Sequence, residues 1–414
     1  MNVGSLQKCI RMWTRENMHL KFWLLFNLTL LSSIAIASEI SPLPSGLQVD
    51  CERGFRSLYE MDYFVAKNQF RTMIEKDTKH PAGYVYLASA VWLEHLSKLR
   101  RIQTQVYNRG NAFFRQRESS IDTIVEKSFY STIEKGMVRA KMRLQKDRND
   151  LAGLYYLGTA HGAIAGYEST IKRTFMSSLQ HGSEAVKAHK KIVSRYPEFA
   201  DAYVSIGMYN YVVGKLPPAV KIVMLLGGVR GSKTEGLKQL EKAAEHGLLA
   251  REEATVILVL LYDREKQHDR ALKLLQKLSA KYPGNPVFRF ESATMHGKLG
   301  HFQESIGIYE SLLKEEKARN LILDFIHFEY AEILFSSGTW EKAHEHYLIS
   351  RRVKDDTPIG LITMSHLRAG QCLNAMGNHE QASVEYQFVL KQPDIKGSRE
   401  LAKKYLKRPY GSRN

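Results

Sequence analysis

Proline and cysteine are scarce in this chain. It has 11 prolines and three cysteines in 414 residues. With only 28 glycines beside them, all-β and collagen-like folds are poor readings. Cys9 falls in the leader described below. Cys51 and Cys372 are expected near opposite ends of the fold, reduced and buried as small hydrophobes, so no disulfide framework is predicted. Catalytic signatures are also missing. The chain has no H-E-x-x-H, no C-x-x-C and no G-x-S-x-G. Acidic residues fall short of basic ones, 43 against 60, for a net charge of +17. The composition, 44% hydrophobic and 25% charged, excludes global disorder and supports a large core.

The basic excess lies mostly in the first half. Residues 38–231 carry 28 basic and 18 acidic side chains, and Lys98 to Arg117 holds six basic residues with no acid. Such a surface suits anionic partners, while the plainer reading is a solvated helical face. Residues 22–37, FWLLFNLTLLSSIAIA, form one long uncharged run behind Lys21. It is short for a membrane span and ends on Ala35-Ile36-Ala37, the pattern of a signal-peptide cleavage site. The expectation is a signal peptide over residues 1–37, with Met18 as an alternative start. The chain is then exported to the periplasm or cell envelope of a bacterium; an uncleaved N-terminal membrane anchor is the alternative. Export argues against a nucleic-acid partner despite the charge.

The internal repeat shows in the small residues. Ala271, Ser305, Ala343 and Ala382 stand 34, 38 and 39 apart, each followed four places later by Leu or Tyr. Twelve residues before them lie Val259, Ala293, Ala331 and Gly370. Ala66, Gly136, Ala185 and Gly236 extend the series backwards, against Ala88, Gly158 and Gly207. Two antiparallel helices cross closely only where a small side chain makes room, and proline after the second helix ends it.

This spacing resembles the tetratricopeptide repeat (TPR), a helix–turn–helix of 34 residues. The predicted fold is therefore all-α, a right-handed solenoid of antiparallel helix pairs with about eight degenerate repeats. Irregular repeats are expected over 38–250, with insertions at 89–135, 159–184 and 208–235. Regular repeats follow over 251–395, then a basic capping helix and tail over 396–414. The 159–184 insertion is expected to lengthen both helices by about two turns. The 89–135 insertion carries Phe113-Phe114 and is expected to add helix. The 208–235 insertion contains an apolar stretch, Ala219–Leu226, which reads as packed over neighbouring repeats or as a membrane-contacting flap.

The resemblance implies a concave face lined by first helices. Its contact positions fall on Trp92, Tyr155, Asp201 and Tyr211, then on Phe328, Glu332, Phe335, Gln371 and Asn374. Aromatic residues of this kind anchor protein partners, although the same spacing also describes inter-repeat core. No basic clamp for a terminal carboxylate stands at these positions. No catalytic, cofactor or metal residue is assigned. The Gly227–Thr234 stretch departs from a phosphate loop, since Ser232 rather than glycine precedes Lys233. His344 and His346 are two apart and so point to different helix faces. Glu252-Glu253 and Asp355-Asp356 read as caps and solvated charge. The expected function is a non-enzymatic scaffold or adaptor for a protein or peptide. The alternatives are a peripheral protein on an anionic membrane and, last, a helical-toroid hydrolase with two hidden carboxylates.

Overall fold

The computed structural model describes residues 40–102, 122–218, 221, 230–352 and 357–411. The expected leader, most of the basic run with Phe113-Phe114, nearly all of Ala219–Leu226, and Asp355-Asp356 lie outside the described residues. Two compact units divide the chain, Met1–Gly46 and Leu47–Asn414. In the first, the Ser41 hydroxyl donates to Leu43 O and accepts from Leu43 N, both at 3.2 Å.

Among the described residues there are 17 α-helices and no strand. They are α1 (Ser45–Tyr59), α2 (Tyr63–Lys76), α3 (Ala82–Lys98), α4 (Thr123–Lys146), α5 (Leu151–Tyr167) and α6 (Phe175–Arg195). Next come α7 (Tyr203–Gly214), α8 (Lys233–His246), α9 (Arg251–Arg264), α10 (His268–Lys281), α11 (Pro286–Lys298) and α12 (Phe302–Lys314). The last are α13 (Glu316–Ser336), α14 (Trp340–Ser350), α15 (Ile359–Ala375), α16 (His379–Lys391) and α17 (Ser398–Lys407). Consecutive helices pair as eight antiparallel hairpins, and α17 covers the last pair. None of the described helices is long and apolar enough to cross a membrane.

Helix starts follow from side-chain caps. Asp62, Asp122, Asp150 and Asn285 accept from backbone N–H groups in the first turns of α2, α4, α5 and α11. The turn between the helices of a pair repeats one device. A residue with positive φ closes the first helix: Met61, Arg100, Arg173, Lys266, Gly300, Gly338 and Gly377. In each case the next N–H reaches back to a carbonyl of the helix's last turn, for example His301 N to His296 O at 2.9 Å and Gln267 N to Tyr262 O at 2.8 Å. The exception is α7, which ends at Lys215 without a left-handed residue.

Pairs pack through the predicted small residues. Ala66, Ala88, Ala185, Ala271, Ala293, Ala331, Ala343 and Ala382 are fully buried. Ser305 is buried too, and its hydroxyl donates to Ala293 O at 2.8 Å across the α11–α12 crossing. The large residue four places on, such as Phe70, Leu240, Tyr309, Tyr347 or Tyr386, fills the adjoining space. Around the expected insertion at 159–184, α5 continues into a π-turn at Glu168–Lys172 and α6 runs 21 residues. In the C-terminal half α13 also spans 21 residues, with non-helical backbone at Ile322.

Within Leu47–Asn414, the first two repeats also touch the fifth, sixth and seventh. The Tyr59 and Tyr282 rings lie 5.2 Å apart, and Asn285 donates to Tyr59 O at 2.7 Å. Lys317 donates to Glu60 O at 2.6 Å. At the end of α3, the buried Arg100 pairs with the buried Asp324 of α13 and lies 5.3 Å over the Phe325 ring. Met61 and Ile102 pack on the core of α11–α15. Periodicity carries no trace of this contact between distant segments.

Candidate functional site

The expected contact residues fall into two groups. In the N-terminal half each has a partner inside the chain. Trp92 is half-buried, and its indole N–H donates to the Thr170 hydroxyl at 2.9 Å. Its ring lies against Gly166, where a Cβ would meet it at 2.2 Å. Tyr155 is buried, stacked on His189 at 5.5 Å and edge-on to Phe199. Asp201 is buried, and one carboxylate oxygen accepts from Leu249 N at 2.9 Å and Ala250 N at 2.8 Å. It thereby ties the short 3-10 turn Ala200–Ala202 to the start of α9. Burial pushes its carboxyl up, and those backbone N–H groups oppose the shift.

Tyr211 is buried and donates to Glu265 Oε1 at 2.7 Å. Lys233 and Lys215 reach the same carboxylate at 2.8 and 3.1 Å. Burial alone would raise Glu265, but hydrogen bonds from Lys233, Tyr211 and Lys215 hold it down to about 2. This is a structural hub.

The C-terminal group converges. Glu332 accepts from Tyr347 at 2.6 Å and from both sides of the Arg368 guanidinium at 2.8 and 2.9 Å. Arg368 also donates to Gln371 Oε1 at 3.1 Å and lies 4.8 Å over the Phe335 ring. Phe328 and Phe335 both pack edge-on to Tyr347. Asn374 donates to Tyr386 at 2.9 Å, while its carbonyl faces His379 Nδ1 at 3.1 Å. Asn374 also lines an open cavity of about 480 Å³ with Trp340, Ala375, His379, Pro409, Tyr410 and Gly411. Sequence reasoning missed Trp340, Arg368, His379 and Tyr410. Trp340 is one of four tryptophans and opens a second helix, which was the available signal.

Two histidine pairs bridge first and second helices. His161 and His181 face each other at 3.0 Å between their Nδ1 atoms, and His327 and His346 at 2.9 Å. Burial, then the facing imidazole, pushes His161 and His327 down to about 4; burial lowers His181 and His346 as well. Among the described residues no three His, Cys, Asp or Glu side chains are grouped to hold a metal ion. Glu253 stands exposed on the first turn of α9, near the buried Asp201. Asp201 spends its carboxylate on backbone N–H groups, so the two do not form the facing pair a hydrolase needs. Cys51 and Cys372 are both buried and unpaired, and burial pushes each thiol up to about 12.

Paired antiparallel helices, small residues at every crossing and stacked first helices define an all-α helical-repeat protein. The fold is a TPR-like solenoid, and the family model described as Iml2/Tetratricopeptide repeat protein 39 matches residues 151–351. No curated protein matches the sequence. Among solved structures, the human IFIT1 dimer with m7Gppp-AAAA is similar at 14% identity and TM-score 0.45, over 86% of this chain and 80% of that one. Yeast Tom70 is similar at 10% identity and TM-score 0.37, over 85% and 86%. The APC/C hetero-tetramer Cut9–Hcn1 is similar at 12% identity and TM-score 0.34, over 84% and 87%.

Proposed function

We propose that this chain is a non-enzymatic scaffold or adaptor that holds an extended segment of a partner protein on its first helices. The observation that carries the reading is the open cavity at the C-terminal repeats. There Asn374, an expected contact residue, meets Trp340 and Tyr410 beside a fixed Arg368–Glu332 fork. Aromatic walls and a few held polar groups are what a peptide-binding cavity requires. We place the protein outside the cytoplasm, at a bacterial cell envelope, on the strength of residues 22–37; nucleic acid is not part of this reading. The test is affinity capture with residues 38–414 from envelope extract, beside the Trp340→Ala variant. A protein that stays through a salt wash and is lost with Trp340→Ala supports the adaptor. Retention of acidic polymers alone, released by salt, sinks it.

One observation favours a second reading, a peripheral membrane protein. Phe64, Ile124 and Met176 are 71%, 80% and 71% exposed. They stand in the first turns of α2, α4 and α6, second helices that share a direction and therefore an edge. Apolar tips on a basic half suit an anionic bilayer. Co-sedimentation with anionic but not neutral vesicles, lost on Phe64→Ser with Ile124→Ser, is the expected result. Equal recovery without vesicles removes the reading.

A further inference from the structure

We propose that the edge of the last two repeats, where α13 and α15 end and α14 and α16 begin, is a docking groove for a proline–aromatic–small segment of a partner, and that residues 408–411 of this chain occupy it as an internal mimic. The proposal rests on the scaffold reading and specifies its ligand. The chain leaves α17 with Arg408 N bonded to Lys404 O at 2.9 Å and turns at Gly411, whose φ is +82°. Between them, Pro409 and Tyr410 come back against the first helices. The Tyr410 ring lies 5.8 Å from Phe335, at the end of α13, and 5.4 Å from Tyr405 of α17. It packs on the same core as Trp340, which stands edge-on to Phe335 at 4.9 Å.

The groove is only partly filled. Tyr410 and Pro409 remain half-exposed and Gly411 exposed, and about 480 Å³ stays open between them and Trp340, Asn374 and His379. That volume lies in the range of ligand-binding clefts. The wall opposite is stiff. Arg368 is clamped on Glu332 and covers Phe335, and Asn374 is held by Tyr386 and His379. A held aromatic wall with a half-exposed aromatic segment against it is the form of a site with an exchangeable occupant. A tethered segment acts at an effective concentration in the mM range, on the order of what short linkers give. It therefore suppresses weak ligands and yields to a segment that fills the remaining space better.

The experiment uses the chain's own segment as probe. A fluorescein-labelled peptide of residues 407–414 is titrated, by anisotropy, into the full chain and into a chain cut after Arg408. The cut chain is expected to bind it saturably, at least tenfold more tightly than the full chain. A peptide with Tyr410→Ala, and a cut chain with Trp340→Ala that keeps its circular dichroism and melting temperature, are each expected to lose tenfold or more. If the cut chain fails to fold, the full chain with Tyr410→Ala keeps α17 and its cap and serves as acceptor, with the same expectations. Equal binding by full and cut chains, equal binding of the Tyr410→Ala peptide, or no saturable binding to a folded acceptor would overturn the proposal. No outside partner enters this test. Its failure therefore leaves the scaffold reading standing, and a failed capture leaves this one.

Discussion

At Gly236 a Cβ would lie 2.5 Å from Gly207 O and 2.6 Å from Tyr211 N, both backbone atoms that cannot swing away. At Gly207 it would meet Gly236 O at 2.8 Å. Here two helix backbones touch, and alanine at either position must push α7 and α8 apart. Gly236→Ala is expected to lower stability by about 1–3 kcal/mol, the usual cost of overpacking. Gly307 in α12 is exposed with nothing within 4 Å, so Gly307→Ala is expected to gain about 0.5–1 kcal/mol from reduced chain entropy. Urea denaturation of both variants reads the contrast; a stabilised Gly236→Ala would refute the close-approach account. These crossings were legible in the sequence because sterics admits few residue types there. The left-handed turn residues were legible only in part. Gly300, Gly338 and Gly377 carry a compositional signal, while Met61, Arg100 and Lys266 adopt the same backbone with none. Lys266→Gly is accordingly expected to stabilise by about 1 kcal/mol, the relief of a left-handed non-glycine residue. An unchanged or lowered denaturation midpoint would show that Lys266 repays that strain through its own contacts.

Elements here are joined by polar groups that periodicity does not reveal. Asp201 was expected on a binding face because it precedes Gly207 at a contact position. The structure sets it beneath α9, accepting two backbone N–H groups. Helical spacing assigns a face, but not whether another element lies on it. Asp201→Ala strands two buried donors and is expected to cost about 1–3 kcal/mol, with Asp201→Asn costing less since its carbonyl still accepts. The histidine pairs tie α5 to α6 and α13 to α14 in the neutral form. An unfolded histidine takes its proton near pH 6.5, whereas His161 and His327 take theirs only near 4. Between those values the unfolded chain binds more protons, so stability falls as pH drops from about 6.5 to about 4. Above 6.5 these groups contribute no slope. Denaturation midpoints measured across that window are expected to decline, and His161→Gln with His327→Gln is expected to flatten the decline. An unchanged slope in the double variant would assign the loss to other groups.

At the largest scale, the described residues of Leu47–Asn414 depart from a simple linear array through a long-range contact. In a plain solenoid each repeat touches only its neighbours, and stability is a sum of local terms. Here α1–α3 also meet α11–α13, with Arg100 and Asp324 buried at the centre of the contact. Burial raises the Asp324 carboxyl, and the Arg100 guanidinium is the chief opposing influence. Removing Arg100 leaves that carboxylate buried without its cation, which typically costs about 3–5 kcal/mol. Asp324→Asn in the same chain removes the unpaired charge and is expected to recover part of the loss. Sequence reading cannot see such a pair, because neither residue belongs to the repeat and they stand 224 positions apart, brought together only by the fold. The decisive readout is amide hydrogen exchange. If the contact couples the two regions, Arg100→Ala speeds exchange in α1–α2 and α11–α13 together, while α15–α16 keep their protection. Faster exchange confined to the end of α3 would mean that the array behaves as a chain of nearest neighbours and that the contact adds nothing to its cooperativity.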